Sequence, residues 1–264
     1  MAIFDGKFIR GVIGDVVFRK VGNMQTMSRR VPKGTIKQTA ATKKASGIFA
    51  FASSLGAHFR EVLKADLKGF SDTDMHSRLT AGFCSILNRC RDPETGLFDF
   101  QENSFSELEG LDFNNLSRLM SSLGVKPMLG MKDGTISLLL PSLRQIKFPS
   151  PAISCEMTIS VTLVALEEGI ITQHPDRKKI LIEKISASRN PYQFRFDVPA
   201  GCLCLVSMFL DFYVDYKNYI RLFNSKQFSP AAVCGAIISP GKFVQQDSRF
   251  WVEMPGLTAL KIKT

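Results

Sequence analysis

Residues 153–165 read ISCEMTISVTLVA. Ile153, Cys155, Met157, Ile159, Val161 and Leu163 recur at every second position, with Ser154, Glu156, Thr158, Ser160 and Thr162 between them. Successive side chains of a strand point to opposite faces, so this alternation predicts a long strand with one buried face. Glu167-Glu168-Gly169 marks its exit. Downstream, apolar and β-branched runs predict strands at 179–185, 192–196, 203–214, 219–223, 233–239, 249–253 and 257–262. Turns fit 190–191, 199–201, 239–241 and 255–256, where Gly and Pro cluster. Upstream, 135–140 (TISLLL) is a further strand. No long helical pattern separates these runs, which argues for an antiparallel sandwich or partly closed barrel and against a parallel α/β sheet.

Working toward the N-terminus, the periodicity changes. Ile48, Phe51, Leu55, Phe59 and Val62 recur at steps of three and four, with Phe49, Leu63 and Leu67 beside them. This predicts a helix that begins between Thr39 and Ala45 and runs to about Leu67. Met75, Leu79, Phe83, Leu87 and Cys90 predict a second helix over 72–88, capped by Ser71 or Asp72. The two apolar stripes suit an antiparallel helical pair. Residues 91–112 are acidic and turn-rich, with a short strand at 97–100, and form the best boundary in the chain. A short helix follows at 114–122.

The first residues are different again. Glycines at 6, 11, 14 and 22 break any helix, and Gly22-Asn23 can turn the chain. The stretch reads as a hairpin or extended arm with limbs 12–21 and 24–31, stopped by Pro32. An isolated hairpin is only marginally stable, so it should lie on another element or on a partner. The expected class is therefore α+β: an N-terminal β-hairpin or arm and a helical pair, followed by an antiparallel β-sandwich-like domain. The expected divisions are 1–33, 34–92, 93–124 and 125–264.

Charge is concentrated in that arm. The 264-residue chain carries +10, and residues 1–68 hold 13 Lys/Arg against four Asp/Glu. Arg10, Arg19, Lys20, Arg29, Arg30, Lys33, Lys37, Lys43 and Lys44 are the candidate contact residues. Such a segment can neutralise phosphates or meet an acidic protein. A hydrophobic fraction of 45%, with 21 Phe, argues against disorder throughout. No secretory h-region and no run of 18 apolar residues is present, so a soluble chain in a reducing, cytoplasmic compartment is expected.

Patterns for chemistry are absent from the sequence. Six cysteines, at 84, 90, 155, 202, 204 and 234, form no C-x-x-C and read as buried thiols. His58, His76 and His174 form no H-E-x-x-H or H-x-H. There is no G-x-S-x-G elbow and no G-K-[ST] phosphate loop. The glycines of GVIGD at 11–15 lack the full dinucleotide fingerprint. Glu107/Glu109 and Glu167/Glu168 read as solvated acids in turns, and Trp251 as packing on a strand. No catalytic residue, metal ligand or cofactor is assigned.

The stretches GVIGDVVFRKVGNMQTMSRRVP (11–32) and KQTAATKKASGIFAFASSL (37–55) resemble an uncharacterised family common in Bacteroidota. Its members share a basic, glycine-punctuated opening, a Thr/Gln-rich link into a helix and a β-rich remainder. Where members often carry Thr-Pro-x-Gln in the link, this chain has Lys37-Gln38-Thr39. The resemblance implies a bacterial, non-enzymatic protein and carries over no mechanism.

Together these features point to a structural or protein-interaction module whose basic arm meets a protein partner or another copy. The alternative is a nucleic-acid-associated protein using the same arm. A third reading is an enzyme whose site is assembled from residues distant in sequence.

Overall fold

The structure is a computed structural model and describes residues 2–32, 34–35, 39–185, 190–217, 219–245, 251–256 and 262. It divides into two compact units, Met1–Ser46 and Gly47–Thr264.

The first unit is a four-stranded antiparallel meander rather than a lone hairpin. Its strands are β1 (Ile3–Phe4), β2 (Ile9–Ile13), β3 (Val16–Val21) and β4 (Met24–Arg29), in the order β1-β2-β3-β4. The expected limb over 12–21 is broken at Gly14-Asp15. There Gly14 takes a φ of 56° and closes a two-residue hairpin on the pair Ile13–Val16. Gly22, with φ 59°, does the same for the pair Val21–Met24. Glycine at the first turn position with positive φ matches the type II′ geometry that fits the twist of paired strands.

Helix α1 (Ala40–Val62) runs across the division, and Thr39 starts it. The Thr39 Oγ1 accepts the amide of Thr42 at 3.1 Å, which satisfies one of the unpaired first-turn donors. A short helix α2 (Lys64–Leu67) and helix α3 (Met75–Cys90) follow. Ile48, Leu55 and Phe59 of the expected stripe are buried, as are Met75, Leu79, Phe83 and Leu87. Phe49 is exposed. The two long helices meet at Gly56, where a Cβ would lie in ordinary van der Waals contact, 3.7 Å from Thr80 Oγ1 and 3.8 Å from the Phe83 ring, so their approach does not require glycine.

The expected cap at Ser71 or Asp72 becomes an ion-pair knot. Asp72 accepts both terminal nitrogens of Arg78, at 3.0 and 2.9 Å, and the amides of Asp74 and Asn115 at 2.9 Å. Arg78 also donates to the Asp112 carbonyl. Helix α3 is thereby tied to the connector, which holds β5 (Leu111–Asp112) and α4 (Leu119–Leu123). The expected helix over 114–122 starts five residues later, because Asn114–Ser117 forms a hydrogen-bonded turn.

The remaining strands are β6 (Met128–Lys132), β7 (Thr135–Leu140), β8 (Ser154–Ala165), β9 (Ile170–Gln173), β10 (Lys178–Glu183), β11 (Tyr192–Asp197), β12 (Leu203–Tyr216), β13 (Tyr219–Leu222), β14 (Ala231–Ile238) and β15 (Val252–Glu253). Of these, β6 and β9 are additions to the strands expected from sequence. Residues 249–250 and 257–261 of the two last expected strands lie outside the described residues. Around Leu97–Phe100, Phe98 forms isolated bridges to Arg91 and Ile262 instead of a strand.

The pairings build an eight-stranded antiparallel sheet, β15-β9-β8-β12-β14-β5, with β10 on β8 and β13 on β12. A three-stranded sheet, β11-β7-β6, is separate from it. Cys155, Met157, Ile159, Val161 and Leu163 pack into one apolar cluster with Ile136, Leu138, Leu140 and Phe196 of the small sheet. Val164, Leu203, Leu205 and Phe209 pack into a second cluster with Ile48, Leu55, Phe59, Leu79 and Phe83 of the helices. The large sheet is therefore the middle of three layers.

That layering corrects the expectation of a single buried face on β8. Ser160 and Thr162 are 0% exposed although they belong to the polar half of the alternation. The helical layer covers them. Burial of a hydroxyl without a partner is costly, and α2 supplies one. Asp66, whose side chain is 2% exposed, accepts Ser160 Oγ at 3.0 Å and Gln173 Nε2 at 2.7 Å, and pairs with Arg177.

Asp66→Ala is expected to destabilise the fold by about 2 kcal/mol, because it leaves Ser160 and Gln173 without their acceptor, whereas the partly exposed Arg177 can turn to water. Ser160→Ala should cost only about 1 kcal/mol. Denaturant melts followed by circular dichroism check both; equal, negligible losses would contradict this account. A second expectation concerns pH. Burial pushes Asp72 up, but the hydrogen bonds from Arg78, Asn115 and Asp74 and the Arg78 charge outweigh it, so its carboxyl titrates below the usual range. Its stabilisation is complete above the unfolded-chain value, about 3.9, and is lost as pH falls through the lower folded value. Asp72→Asn should flatten the acid limb of the stability profile.

Candidate interaction surface

The basic residues singled out by charge fall mainly on the small N-terminal sheet. Arg10 lies on β2, Arg19 and Lys20 on β3, and Arg29 at the end of β4. Arg30 follows β4, its amide donating to the Asp15 carbonyl. Lys43 and Lys44 sit in the first turns of α1. All seven are exposed. Lys33 and Lys37 lie outside the described residues.

Register sorts them by face. Cross-strand partners share a face, and the pairs are Val16–Arg29, Phe18–Met27 and Lys20–Gln25 on one side. Val17–Ser28, Arg19–Thr26 and Val21–Met24 lie on the other. Lys20 and Arg29 are thus together, and Arg19 is opposite them. The Lys20 Nζ sits 4.5 Å from the Phe8 ring centroid, a cation–π contact. Arg10 pairs with Asp5 at 3.1 Å. The Phe8 amide holds Asp5 below the usual carboxylate range, helped by the charges of Arg10 and Lys20. Among the described basic residues of this unit, only Arg10 has an ion-pair partner.

The charge map did not single out the apolar residues between these cations. Ile3, Phe4, Ile13, Val21, Met24, Met27 and Val31 are all more than half exposed, and Phe8 alone among the large apolar residues described in the first 39 is buried. The signal was present in sequence: alternating apolar and basic residues with no second layer in the same segment. Exposed apolar clusters rimmed by polar residues mark contact surfaces.

Other groups with chemical potential are satisfied locally. His58 and His76 each place Nδ1 on a backbone carbonyl four and three residues back. The His174 Nδ1 accepts the Asp176 amide, so its Nε2 carries the proton given to the Asp197 carbonyl. No group of three or more His, Cys, Asp or Glu among the described residues could hold a metal. Glu156 and Asp211 are cross-strand neighbours on β8 and β12, with Lys179 Nζ 2.6 Å from Glu156. Burial, then Glu156, pushes the Asp211 carboxyl up, against the opposing charge of Lys179.

A cavity of about 690 Å³ is lined by Glu109, Met120, Ser121, Lys126, Lys147 and Cys234, among others, and by no histidine. The Cys234 thiol is pushed up to about 12 by burial, which removes it as a thiolate nucleophile at neutral pH. Among the described residues, no helix is long and apolar enough to cross a membrane.

All six cysteines are free, and Cys155, Cys202, Cys204 and Cys234 are buried. Burial raises each of these four thiols, that of Cys202 to about 12. Titration of the native protein with a thiol-specific disulfide reagent is expected to detect Cys84 and Cys90 first, with the other four reacting only in denaturant. Six thiols reacting at one rate in the native protein would refute the burial assignment. No protein-family model matches this chain, and no curated protein matches it in sequence.

Proposed function

We propose that the protein is a non-enzymatic structural or protein-interaction module that uses its basic N-terminal sheet to hold a protein partner. The observation that carries this reading is the combination on one small sheet of exposed Met24, Met27, Val21, Ile3 and Phe4 with exposed Arg19, Lys20, Arg29 and Arg30. A four-stranded sheet gains little from burying Phe8 alone, and a partner surface would remove from water the apolar area of the face it covers. The larger unit, with its two apolar clusters, provides the rigid body that carries it. The resemblance to the Bacteroidota family agrees with a bacterial, non-catalytic role, and a cytoplasmic location is part of the same proposal.

One observation favours a second reading. Arg19, Lys20, Arg29, Arg30, Lys43 and Lys44 are exposed and have no carboxylate partner among the described residues, which leaves them available for phosphates. That reading predicts binding to nucleic acid with little sequence preference and a steep loss with salt.

Light scattering of the full chain and of a chain lacking residues 1–33, in low and moderate salt, tests the first reading. A mass increase that depends on the arm is expected. Anisotropy of a labelled DNA duplex tests the second. Arg29→Ala with Arg30→Ala would weaken duplex binding several-fold if phosphates were the target. Equal monomeric masses for both chains, with duplex binding lost on that substitution, would replace the first reading by the second.

A further inference from the structure

The partner of the N-terminal sheet can be named from the backbone of its last strand. We propose that it is a second copy of this chain, joined antiparallel along β4 with Met27 facing Met27 across a two-fold axis. This rests on the reading of the basic sheet as a protein-contact surface.

β4 is terminal in the sheet order, and all six of its residues are exposed. The two-residue turn makes Val21–Met24 a hydrogen-bonded pair, so such pairs recur at Arg19–Thr26 and Val17–Ser28. The Arg30 amide donating to the Asp15 carbonyl at 2.6 Å continues that alternation. Gln25, Met27 and Arg29 lie in the intervening wide pairs. Their amides and carbonyls therefore point away from β3, along the open edge. A strand-long unpaired edge forms a template for another strand.

The choice of a second copy follows from register. Antiparallel pairing about Met27 sets Gln25 against Arg29 and Thr26 against Ser28 of the other copy. All three outward residues of each strand then find partners, giving a ladder of about six hydrogen bonds. Like charges directly opposite each other are destabilising, and none meet in this register. A slip centred on Arg29 would oppose two guanidinium groups. A slip centred on Gln25 would run the strand into the turn at Gly22-Asn23. On the face shared by Phe18 and Met27, the central register joins the two apolar pairs into one stripe across both copies.

Charge adds a signature. The first unit holds ten Lys/Arg and two Asp, so each copy brings +8 to the contact. Ions screen such repulsion beyond about 10 Å at 0.1 M salt. Self-association should therefore strengthen as salt rises, the reverse of phosphate binding.

Sedimentation of the full-length protein over a concentration series, at about 50 mM and about 200 mM salt, measures the association. A concentration-dependent dimer, tighter at the higher salt, is expected. Met27→Pro removes only an outward amide and is expected to weaken the dimer at least tenfold while hydrogen exchange still protects the amides of Thr26 and Ser28. Because Met27→Pro could also disturb the strand, Met27→Cys is the second variant. Paired Cα atoms in this register lie about 5.5 Å apart, within disulfide reach. Mild oxidation of Met27→Cys should give a covalent dimer, whereas Val16→Cys, two strands from the partner, and the unsubstituted chain should not. A wild-type monomer throughout, or equal cross-linking of the Val16→Cys and Met27→Cys variants, would overturn the edge pairing. A dimer that persists in Met27→Pro, together with no cross-linking of Met27→Cys, would overturn it too. If that dimer still required residues 1–33, the interaction-module reading would survive through another part of the arm.

Discussion

Ser160, Thr162 and Ser207 lie on the helix-facing side of the middle layer, each without solvent contact. A sheet covered on both faces gives a hydroxyl no access to bulk water, so its hydrogen bond is made only if a neighbouring group of the protein supplies it. Asp66 does so for Ser160, and simultaneously for Gln173 on β9 and for Arg177 beyond it. The partly exposed Arg177 gives this buried carboxylate its counter-charge. One residue on a four-residue helix thus couples the helical layer to two strands of the large sheet. Thr162 Oγ1 and Ser207 Oγ have no hydrogen-bond partner among the described residues. The polar strip beneath α2 is a part of the interior where apolar packing alone does not decide the arrangement.

The Asp72–Arg78 knot performs a related task at the start of α3. There five hydrogen bonds gather the helix start, Asp112 and Asn115 into one locus. Both devices exploit the same physics: a carboxylate drawn out of water must be surrounded by donors, all distant in sequence at Asp66 and mostly local at Asp72, where Asn115 is the distant one. The donors are spent on structure, and the histidines are occupied by backbone atoms. In the first 46 residues, excess positive charge and exposed apolar side chains coincide.

Much of the β-rich region is readable directly. The period of two in 153–165 locates β8, and the apolar runs locate β7, β11, β12 and β13 to within two residues at either end. The steps of three and four locate both long helices for the same reason: a local period needs no knowledge of its neighbours. β9, only four residues long, offers too short a run to show a period, and Gly130 interrupts the apolar pattern of β6. The meander reads as a hairpin because Gly14-Asp15 sits inside an otherwise continuous apolar and basic run. The basic residues are legible as a cluster, but not their assignment to faces, which depends on the positions of the two turns. The unpaired edge of β4 is illegible, because only strand order reveals which edge is last.

Sequence alone determined the element types, the basic N-terminal segment and the lack of recognised catalytic spacing, since each is written in local order and composition. Tertiary structure alone decided that the alternation in β8 is buried on both sides, because a period of two separates faces but does not say what covers each. It decided equally that Asp66 is interior and that Met27 is not. Burial belongs to the packing of layers, and backbone hydrogen bonding to the order of strands; neither quantity is a property of any single stretch of chain.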